Sequence, residues 1–177
     1  MKKQYEVILA GAGGQGLIVC GIMLAEAAVL EGKNVVQTQS YGIASRGGFS
    51  QSEVIISEEE IIFQQVQAPD LILALTQAAF ERYAPLAAHA PLFFDTTLVK
   101  TGPGQNLYGY PFLTLASELG HEGMANIIAL GAMAALTGMV RPESLAQVLR
   151  RRFAGQTAEM NVKALYTGCE LIKKDQA

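Results

Sequence analysis

The chain has 177 residues, of which 50% are hydrophobic and 16% charged, and its formal net charge is −3. We expect one domain over residues 1–177, because this length and apolar content suit one well-buried core. The weak negative charge gives no electrostatic reason to expect binding to nucleic acid. We expect a cytoplasmic protein with no membrane partner, because the sequence shows neither a signal-peptide core nor about 20 uninterrupted apolar residues.

A glycine-rich loop follows the first predicted strand, which covers residues 5–10. It reads Gly-Ala-Gly-Gly-Gln-Gly over residues 11–16 and leads into a helix predicted at residues 14–30. A Gly-x-Gly-x-x-Gly motif binds phosphate in this strand–loop–helix context. We expect Gly11 to permit the turn, Gly13 to let a ligand approach the backbone, and Gly16 to let the helix pack closely on the strand. The free N–H groups at the helix start favour a phosphate.

The second predicted strand, at residues 34–39, carries no acidic residue at its end. An NAD-binding unit places an Asp or Glu there to hold the ribose hydroxyls. No Arg stands at that strand end to accommodate NADP either. A stand-alone NAD(P)-dependent enzyme therefore fits the sequence poorly.

A second glycine-rich loop covers residues 41–48 and includes Ser45, Arg46, Gly47 and Gly48. One interpretation is a flexible surface loop with a solvated Arg46. The other places Arg46 and the Gly47–Gly48 backbone beside the first loop, at the carboxyl ends of the first two strands. Open α/β sheets bind ligands in that crevice, and a guanidinium matches phosphate or carboxylate.

Strands and helices alternate along the rest of the chain. We predict further strands at 53–56, 70–75, 91–95 and 107–110, and further helices at 77–85, 112–119, 124–137, 142–153 and 158–173. This pattern predicts an α/β fold with a single Rossmann-like domain. We expect a mostly parallel sheet, helices on both faces, and a helical C-terminal third.

The residues themselves indicate no catalytic centre and no metal site. The sequence contains neither a nucleophile elbow nor the Lys of a phosphate loop. Cys20 and Cys169 form no Cys-x-x-Cys pair, so we expect no iron–sulfur or zinc site built by this chain alone. Asn126, at the head of an apolar helix, is expected to cap that helix or to bridge loops by a hydrogen bond.

Five sequence features occur in order along the chain: the loop 11–16, Tyr-Gly-x-x-x-Arg-Gly-Gly at 41–48, the segments 54–57 and 68–70, and Asn-Ile-Ile-Ala-Leu-Gly-Ala at 126–132, followed by the segment 161–168. Together they resemble the gamma subunit of 2-oxoacid:ferredoxin (acceptor) oxidoreductases. Such enzymes oxidise a 2-oxoacid with coenzyme A to acyl-CoA and carbon dioxide and reduce ferredoxin. The separate, short chain is most similar to the 2-oxoglutarate type, with the pyruvate, branched-chain and indolepyruvate types left open. One departure is Ile43-Ala44, where many relatives carry Pro-Glu.

The resemblance implies that this chain contributes to coenzyme A binding and to subunit assembly. It implies partners of the alpha, beta and delta types, with thiamine diphosphate, Mg²⁺ and iron–sulfur clusters held by those partners. When isolated, the chain is expected to be inactive, and a homodimer is one open arrangement for it, because a subunit without its partners exposes apolar surface. A purely structural subunit, whose loop contacts a partner chain, stays open as an alternative. The candidate cofactor-binding residues are Gly11, Gly13, Gly14, Gln15, Gly16, Ser45, Arg46, Gly47, Gly48 and Asn126.

Overall fold

Six strands form one sheet in a computed structural model that describes residues 2–41 and 47–175. The strand order is β2-β3-β1-β4-β5-β6. All strands but β3 run in the same direction. The strands are Gln4–Ala12 (β1), Asn34–Tyr41 (β2), Phe49–Ser57 (β3), Leu71–Ala74 (β4), Leu92–Asp95 (β5) and Leu107–Tyr110 (β6).

In the described ranges, six α-helices connect and cover these strands. Their ends follow signals visible in the sequence: Thr76 caps α2 through a hydrogen bond from the N–H of Ala79, and Gly138 ends α4 in a left-handed conformation. Across the described ranges, no helix is both long and apolar enough to cross a membrane. The helices are Leu17–Leu30 (α1), Gln77–Tyr83 (α2), Phe112–Glu118 (α3), Ala125–Thr137 (α4), Pro142–Arg152 (α5) and Gly155–Asp175 (α6), with 3₁₀ turns at Ala84–Ala88 and Glu122–Met124.

Buried side chains alternate between the two faces of the central strands. Val7 and Leu9 of β1 pack on the side of α1, α4, α5 and α6, whereas Ile8 and Ala10 pack on the side of α2. Burial on both faces explains why the short parallel strands read as continuous apolar runs. The predicted fold class, a mostly parallel sheet with helices on both faces, is confirmed.

The strand β3 is antiparallel to both neighbours and separates β1 from β2. The connection between β2 and β3 is shorter than the dozen or so residues that a parallel crossover needs, so the chain returns as an antiparallel pair. The second strand in sequence is therefore not the neighbour of the first, and the crevice expected between them contains the beginning of β3.

Two predicted helix starts were wrong by three residues. Helix α1 begins at Leu17 rather than at residue 14, because Gly14 and Gly16 have φ values of 97° and 71°, which no right-handed helix contains. Helix α6 begins at Gly155 rather than at 158. Asn161 therefore lies inside the helix and its side chain donates to the carbonyl of Thr157.

The helices α4 and α6 cross with their backbones in direct contact. A Cβ built on Gly168 would overlap the carbonyl oxygen of Ile128 and lie 2.8 Å from the nitrogen of Ala132. A Cβ on Gly131 would likewise overlap the carbonyl oxygen of Leu165. Glycine at these two positions allows the last helix to lie against α4 and so cover the core on that face.

Candidate functional site

The first glycine-rich loop forms the turn between β1 and α1, at the carboxyl ends of the parallel strands. Gly13 and Gly14 are exposed at its tip. The N–H of Gln15 donates to the carbonyl of Ala12 at 3.2 Å and closes the turn. The N–H of Gly13 donates to the carbonyl of Gly48 at 2.8 Å. The end of the second loop therefore lies beside the first, as predicted.

The two loops meet through the backbone of Gly47 and Gly48. A Cβ built on Gly13 would lie 3.6 Å from the carbonyl oxygen of Gly48 and 3.7 Å from the nitrogen of Gly47, which are ordinary contact distances. Ser45 and Arg46, the other two candidates from this loop, lie outside the described residues. Their placement beside the first loop stays a prediction.

The side chain of Gln15 joins the ends of β1 and β4. Its Oε1 accepts from the N–H of Ala12 at 2.8 Å, and its Nε2 donates to the carbonyl of Leu75 at 2.9 Å. The helices after β1 and β4 lie on opposite faces of the sheet, so this is the topological switch point where open α/β sheets bind nucleotides. Here a side chain of the protein occupies the position between the two strand ends.

Gly11 makes room for this side chain. A Cβ on Gly11 would overlap Oε1 of Gln15 and lie 2.9 Å from Cδ1 of Leu17. Gly11 itself lies within β1, so its role differs from the predicted one of permitting a tight turn. Sequence reasoning missed the contacts of Gln15, although a glutamine between two glycines was a visible signal.

Asn126, in the first turn of α4, contacts the same loop from the protein interior. Its Nδ2 donates to the carbonyl of Gln15 at 3.0 Å, which confirms the predicted loop-bridging hydrogen bond. The buried Oδ1 of Asn126 accepts no hydrogen bond from any described residue. A Cβ on Gly16 would overlap Nδ2 of Asn126. Gly16 therefore leaves space for the side-chain amide of Asn126. The predicted role of Gly16, close packing of the helix on the strand, is not what the contact shows.

The N-terminal end of α1 keeps unpaired donors. The N–H groups of the first helical turn have no intrahelical acceptor, and no side chain caps this helix. Within the described ranges, no backbone carbonyl accepts from Leu17, Ile18 or Val19. Together with the positive end of the helix dipole, these donors can bind an anion.

Other polar groups near this edge of the sheet serve structural roles. Asp95, at the end of β5, is fully buried and accepts from the N–H of Thr97 at 2.7 Å and from the N–H of Leu113 at 2.6 Å. It thereby ties β5 to the start of α3. A carboxylate with these partners inside the protein binds its neighbours rather than a ligand.

The two cysteines lie in separate buried positions. Burial raises the pKa of Cys20 to about 12 and that of Cys169 to about 11. Their thiols lie near the carbonyl oxygens of Asn126 and Gly131, at 3.5 and 3.4 Å. They therefore stay protonated at neutral pH, whereas nucleophiles and metal ligands are thiolates. Among the described residues, no group of three or more His, Cys, Asp or Glu could hold a metal ion.

The family model of pyruvate ferredoxin/flavodoxin oxidoreductase matches residues 6–171. The subunit KorC of 2-oxoglutarate synthase from Archaeoglobus fulgidus is 41% identical over 98% of this chain and 91% of its own length. The gamma subunit of a keto/oxoacid ferredoxin oxidoreductase from Geobacter sulfurreducens is 40% identical, with a TM-score of 0.84 over 98% of both chains.

A larger protein shares the fold at lower identity. A chain of the 2-oxoglutarate:ferredoxin oxidoreductase from Magnetococcus marinus, solved with 2-oxoglutarate, coenzyme A and succinyl-CoA bound, has a TM-score of 0.86. The identity is 24%, and the match covers 98% of this chain and 32% of that one. That likeness is one of fold. The family model and the two full-length relatives together show that the chain belongs to the pyruvate ferredoxin/flavodoxin oxidoreductase family, as a gamma-type subunit of the 2-oxoacid:ferredoxin oxidoreductases.

Proposed function

We propose that this chain is the gamma subunit of a coenzyme A-acylating oxidoreductase that acts on 2-oxoglutarate and contributes to coenzyme A binding. The KorC name of the similar full-length subunits supports the choice of 2-oxoglutarate. In the proposed enzyme, subunits of the alpha, beta and delta types complete the complex, and ferredoxin accepts the electrons. Those partners hold thiamine diphosphate, Mg²⁺ and the iron–sulfur clusters, in keeping with the two buried cysteines of this chain.

The uncapped N-terminal end of α1, behind an exposed glycine turn, is the observation that carries the coenzyme A proposal. The diphosphate of coenzyme A is an anion of the kind that helix N-termini bind. The N–H groups of Gly13 and Gln15 already donate within the chain. In the proposal they therefore shape the turn, while Gly14, Gly16 and the first turn of α1 face the diphosphate.

Arg46 is proposed to supply the positive charge that the described part of the site lacks. A guanidinium binds a phosphate through paired, charge-assisted hydrogen bonds. Arg46 stands two residues before Gly48, whose carbonyl contacts the first loop. In the proposal, Arg46 reaches a diphosphate at α1 across that short distance along the chain.

The test compares Arg46→Ala with Arg46→Lys in the assembled enzyme. We expect the alanine variant to raise the apparent KM for coenzyme A by about 10-fold or more, because a charge-assisted hydrogen bond contributes about 1.5–3 kcal/mol. The lysine variant should recover part of this loss, and 2-oxoglutarate decarboxylation without coenzyme A should be unchanged. An unaltered KM for coenzyme A in the alanine variant would exclude this role of Arg46.

A structural role for the same loop is the second candidate. The side chain of Gln15 occupies the switch point, and the N–H groups of Ala12, Gly13 and Gln15 already donate within the chain, so fewer N–H groups of the loop are free to bind a cofactor. Gly14→Asn separates the two functions, because Asn tolerates a positive φ and adds a side chain at the exposed tip. A raised KM in a normally assembled complex supports coenzyme A binding. Loss of assembly with an unchanged KM in the residual complex supports the structural role.

A further inference from the structure

Two adjacent apolar side chains project from an irregular segment between β3 and β4. Ile62 is 82% exposed and Phe63 67% exposed, more than any other large apolar side chain in the described part of the molecule. We call them the apolar pair. Single exposed apolar residues are common on protein surfaces, but two large neighbours exposed to this extent indicate an interaction site.

The segment that carries the apolar pair is held at both ends. Before the pair, the carbonyl of Glu59 accepts from the side chain of Asn34 at 3.1 Å. After the pair, the N–H of Val66 donates to Glu53 at 3.3 Å, and the N–H of Gln67 donates to Glu6 at 2.7 Å. These bonds tether the segment on both sides of the pair, which lowers the entropy cost of binding through it.

An open apolar groove of about 700 Å³ lies at the outer side of α1. The helices α1 and α5 and the edge strand β2 form its walls. Arg151 and Arg152, at the end of α5, make one rim basic. Val29 is 60% exposed within it, so a large apolar surface faces solvent here. The principal apolar lining residues are Ile22, Ala25, Val29, Leu30, Val35 and Val148.

The apolar pair and the groove flank the same half of β2 on opposite faces of the sheet. The groove is on the face of α1 and contacts Val35 and Gln37. The segment of the pair is on the other face: it is bonded to Asn34, and Val66 packs with the core cluster under α2. Consider a two-fold axis that runs parallel to β2 just outside this edge of the sheet. Rotation about it places the α1 face of one copy on the same side as the opposite face of the other copy, and it leaves positions along the strand direction unchanged. It therefore brings each pair opposite the groove of the other copy.

The charges around the two elements are complementary. Three consecutive glutamates, residues 58–60, precede the apolar pair, and two arginines border the groove. Glu59 pairs with Lys3, and Arg152 pairs with Glu26. Glu60 and Arg151 form no ion pair with any described residue. An acidic group beside the pair and a basic group beside the groove are thus both available across an interface.

We propose that two copies of this chain form a symmetric dimer in which Ile62 and Phe63 of each copy insert into the groove of the other. Glu60 of one copy then faces Arg151 of its partner. The contact is isologous and closed, so it yields a dimer rather than a filament. The interface lies at the opposite end of the sheet from the glycine-rich loop and does not depend on coenzyme A binding.

The first test measures the mass of the full chain by sedimentation equilibrium, with the double variant Ile62→Ser/Phe63→Ser as the probe. We expect a dimer for the unmodified chain and at least about a 30-fold larger dissociation constant for the variant, which is the loss typical of interface hot spots. Leu98→Ser is the matched control, because Leu98 is an exposed leucine (40%) away from both elements. Thermal unfolding of all three proteins reports whether each is folded.

The second test uses charge reversal in two different chains. Glu60→Arg and Arg151→Glu should each weaken the homodimer, because each places like charges together. Mixed in equal amounts, the two variants should form a heterodimer, since both of its contacts then join opposite charges. If mixing the two variants restores dimer formation, Glu60 of one copy faces Arg151 of the other, as the contact between apolar pair and groove requires.

Three results would overturn the proposal. The unmodified chain would be monomeric at high concentration, the dimer would persist unchanged in Ile62→Ser/Phe63→Ser, or the mixed charge variants would fail to associate. A complex of this chain with catalytic subunits that is disrupted by the double variant, while the isolated chain stays monomeric, would instead assign the apolar pair to a heteromeric interface.

Discussion

At the scale of single residues, the glycine-rich loop depends on two amides that the motif does not include. Gln15 links the ends of β1 and β4, and Asn126 holds the carbonyl of Gln15 from α4. A side chain at Gly11 or Gly16 would overlap one of these amides, so both positions require glycine. The shape of the exposed tip is therefore set by side chains that face into the protein.

Replacing Gln15 with Ala should lower the free energy of unfolding by about 1–2 kcal/mol, because the N–H of Ala12 and the carbonyl of Leu75 lose their partner. Urea unfolding of the full chain measures this change. Gln105→Ala is the control, since Gln105 is exposed, and we expect a change within about 0.5 kcal/mol for it. Equal effects of the two substitutions would contradict the bridging role of Gln15.

The sequence locates the loop but not its internal contacts. A Gly-x-Gly-x-x-Gly pattern after an apolar strand was sufficient to predict the turn and the helix that follows. The partner of Gln15 is Leu75, 60 residues away, and the partner of Asn126 is 111 residues away. Contacts over such separations depend on strand order, which the local pattern does not specify.

At the scale of elements, two glycines determine where the last helix packs, because they have no side chain at its contact with α4. The backbones of α4 and α6 touch at Gly131 and Gly168, and the thiol of Cys169 lies 3.4 Å from the carbonyl oxygen of Gly131. Any larger residue at these positions forces the helices apart along their length. Such a shift of α6 would also weaken its packing against α5, so the whole helical layer would be destabilised.

Gly168→Ala should destabilise the chain by about 3 kcal/mol or more, because the new methyl group meets backbone atoms that cannot rotate away. Thermal unfolding followed by circular dichroism provides the measurement. Gly102→Ala is the matched control: a Cβ there meets nothing within 4 Å, so we expect little change or a small gain. A stable Gly168→Ala protein would show that α4 and α6 can separate at low cost.

Most elements and several helix ends were predicted from periodicity and capping residues, whereas the starts of α1, α6 and β3 were not. The short apolar runs identified the parallel strands, and Thr76, Gly138 and Pro142 identified helix ends. The antiparallel direction of β3 was not predicted, because alternation of side chains is the same in both strand directions. It follows from the short connection between β2 and β3, which cannot span a parallel crossover.

At the scale of the whole molecule, stability and association depend on different phenylalanines. Phe93 is fully buried in the sheet and stacks on Tyr108 at 4.9 Å between ring centres. Phe63 is largely exposed. The same residue type thus contributes to the fold in one place and, in the proposed dimer, to the interface in the other.

Phe93→Ala should lower the free energy of unfolding by about 3–5 kcal/mol, the cost of a large cavity in a core. Phe63→Ala should stay within about 0.5 kcal/mol of the unmodified chain, because it removes a solvated side chain. Both values come from urea unfolding in dilute solution, where association does not contribute. A large loss in Phe63→Ala under these conditions would mean that Phe63 belongs to the core of the single chain.

The position of β3 between β1 and β2 has a consequence for the order of folding. Strands β2 and β3 adjoin in sequence and can pair early, whereas β1 must close a loop of more than 35 residues to reach β3. The hydrogen bond from Gly13 to Gly48 joins these two parts of the chain. We therefore expect the glycine-rich turn to be completed late, after β1 docks. A nascent or partly folded chain presents no finished turn, and a ligand that recognises the turn selects for chains whose sheet is complete.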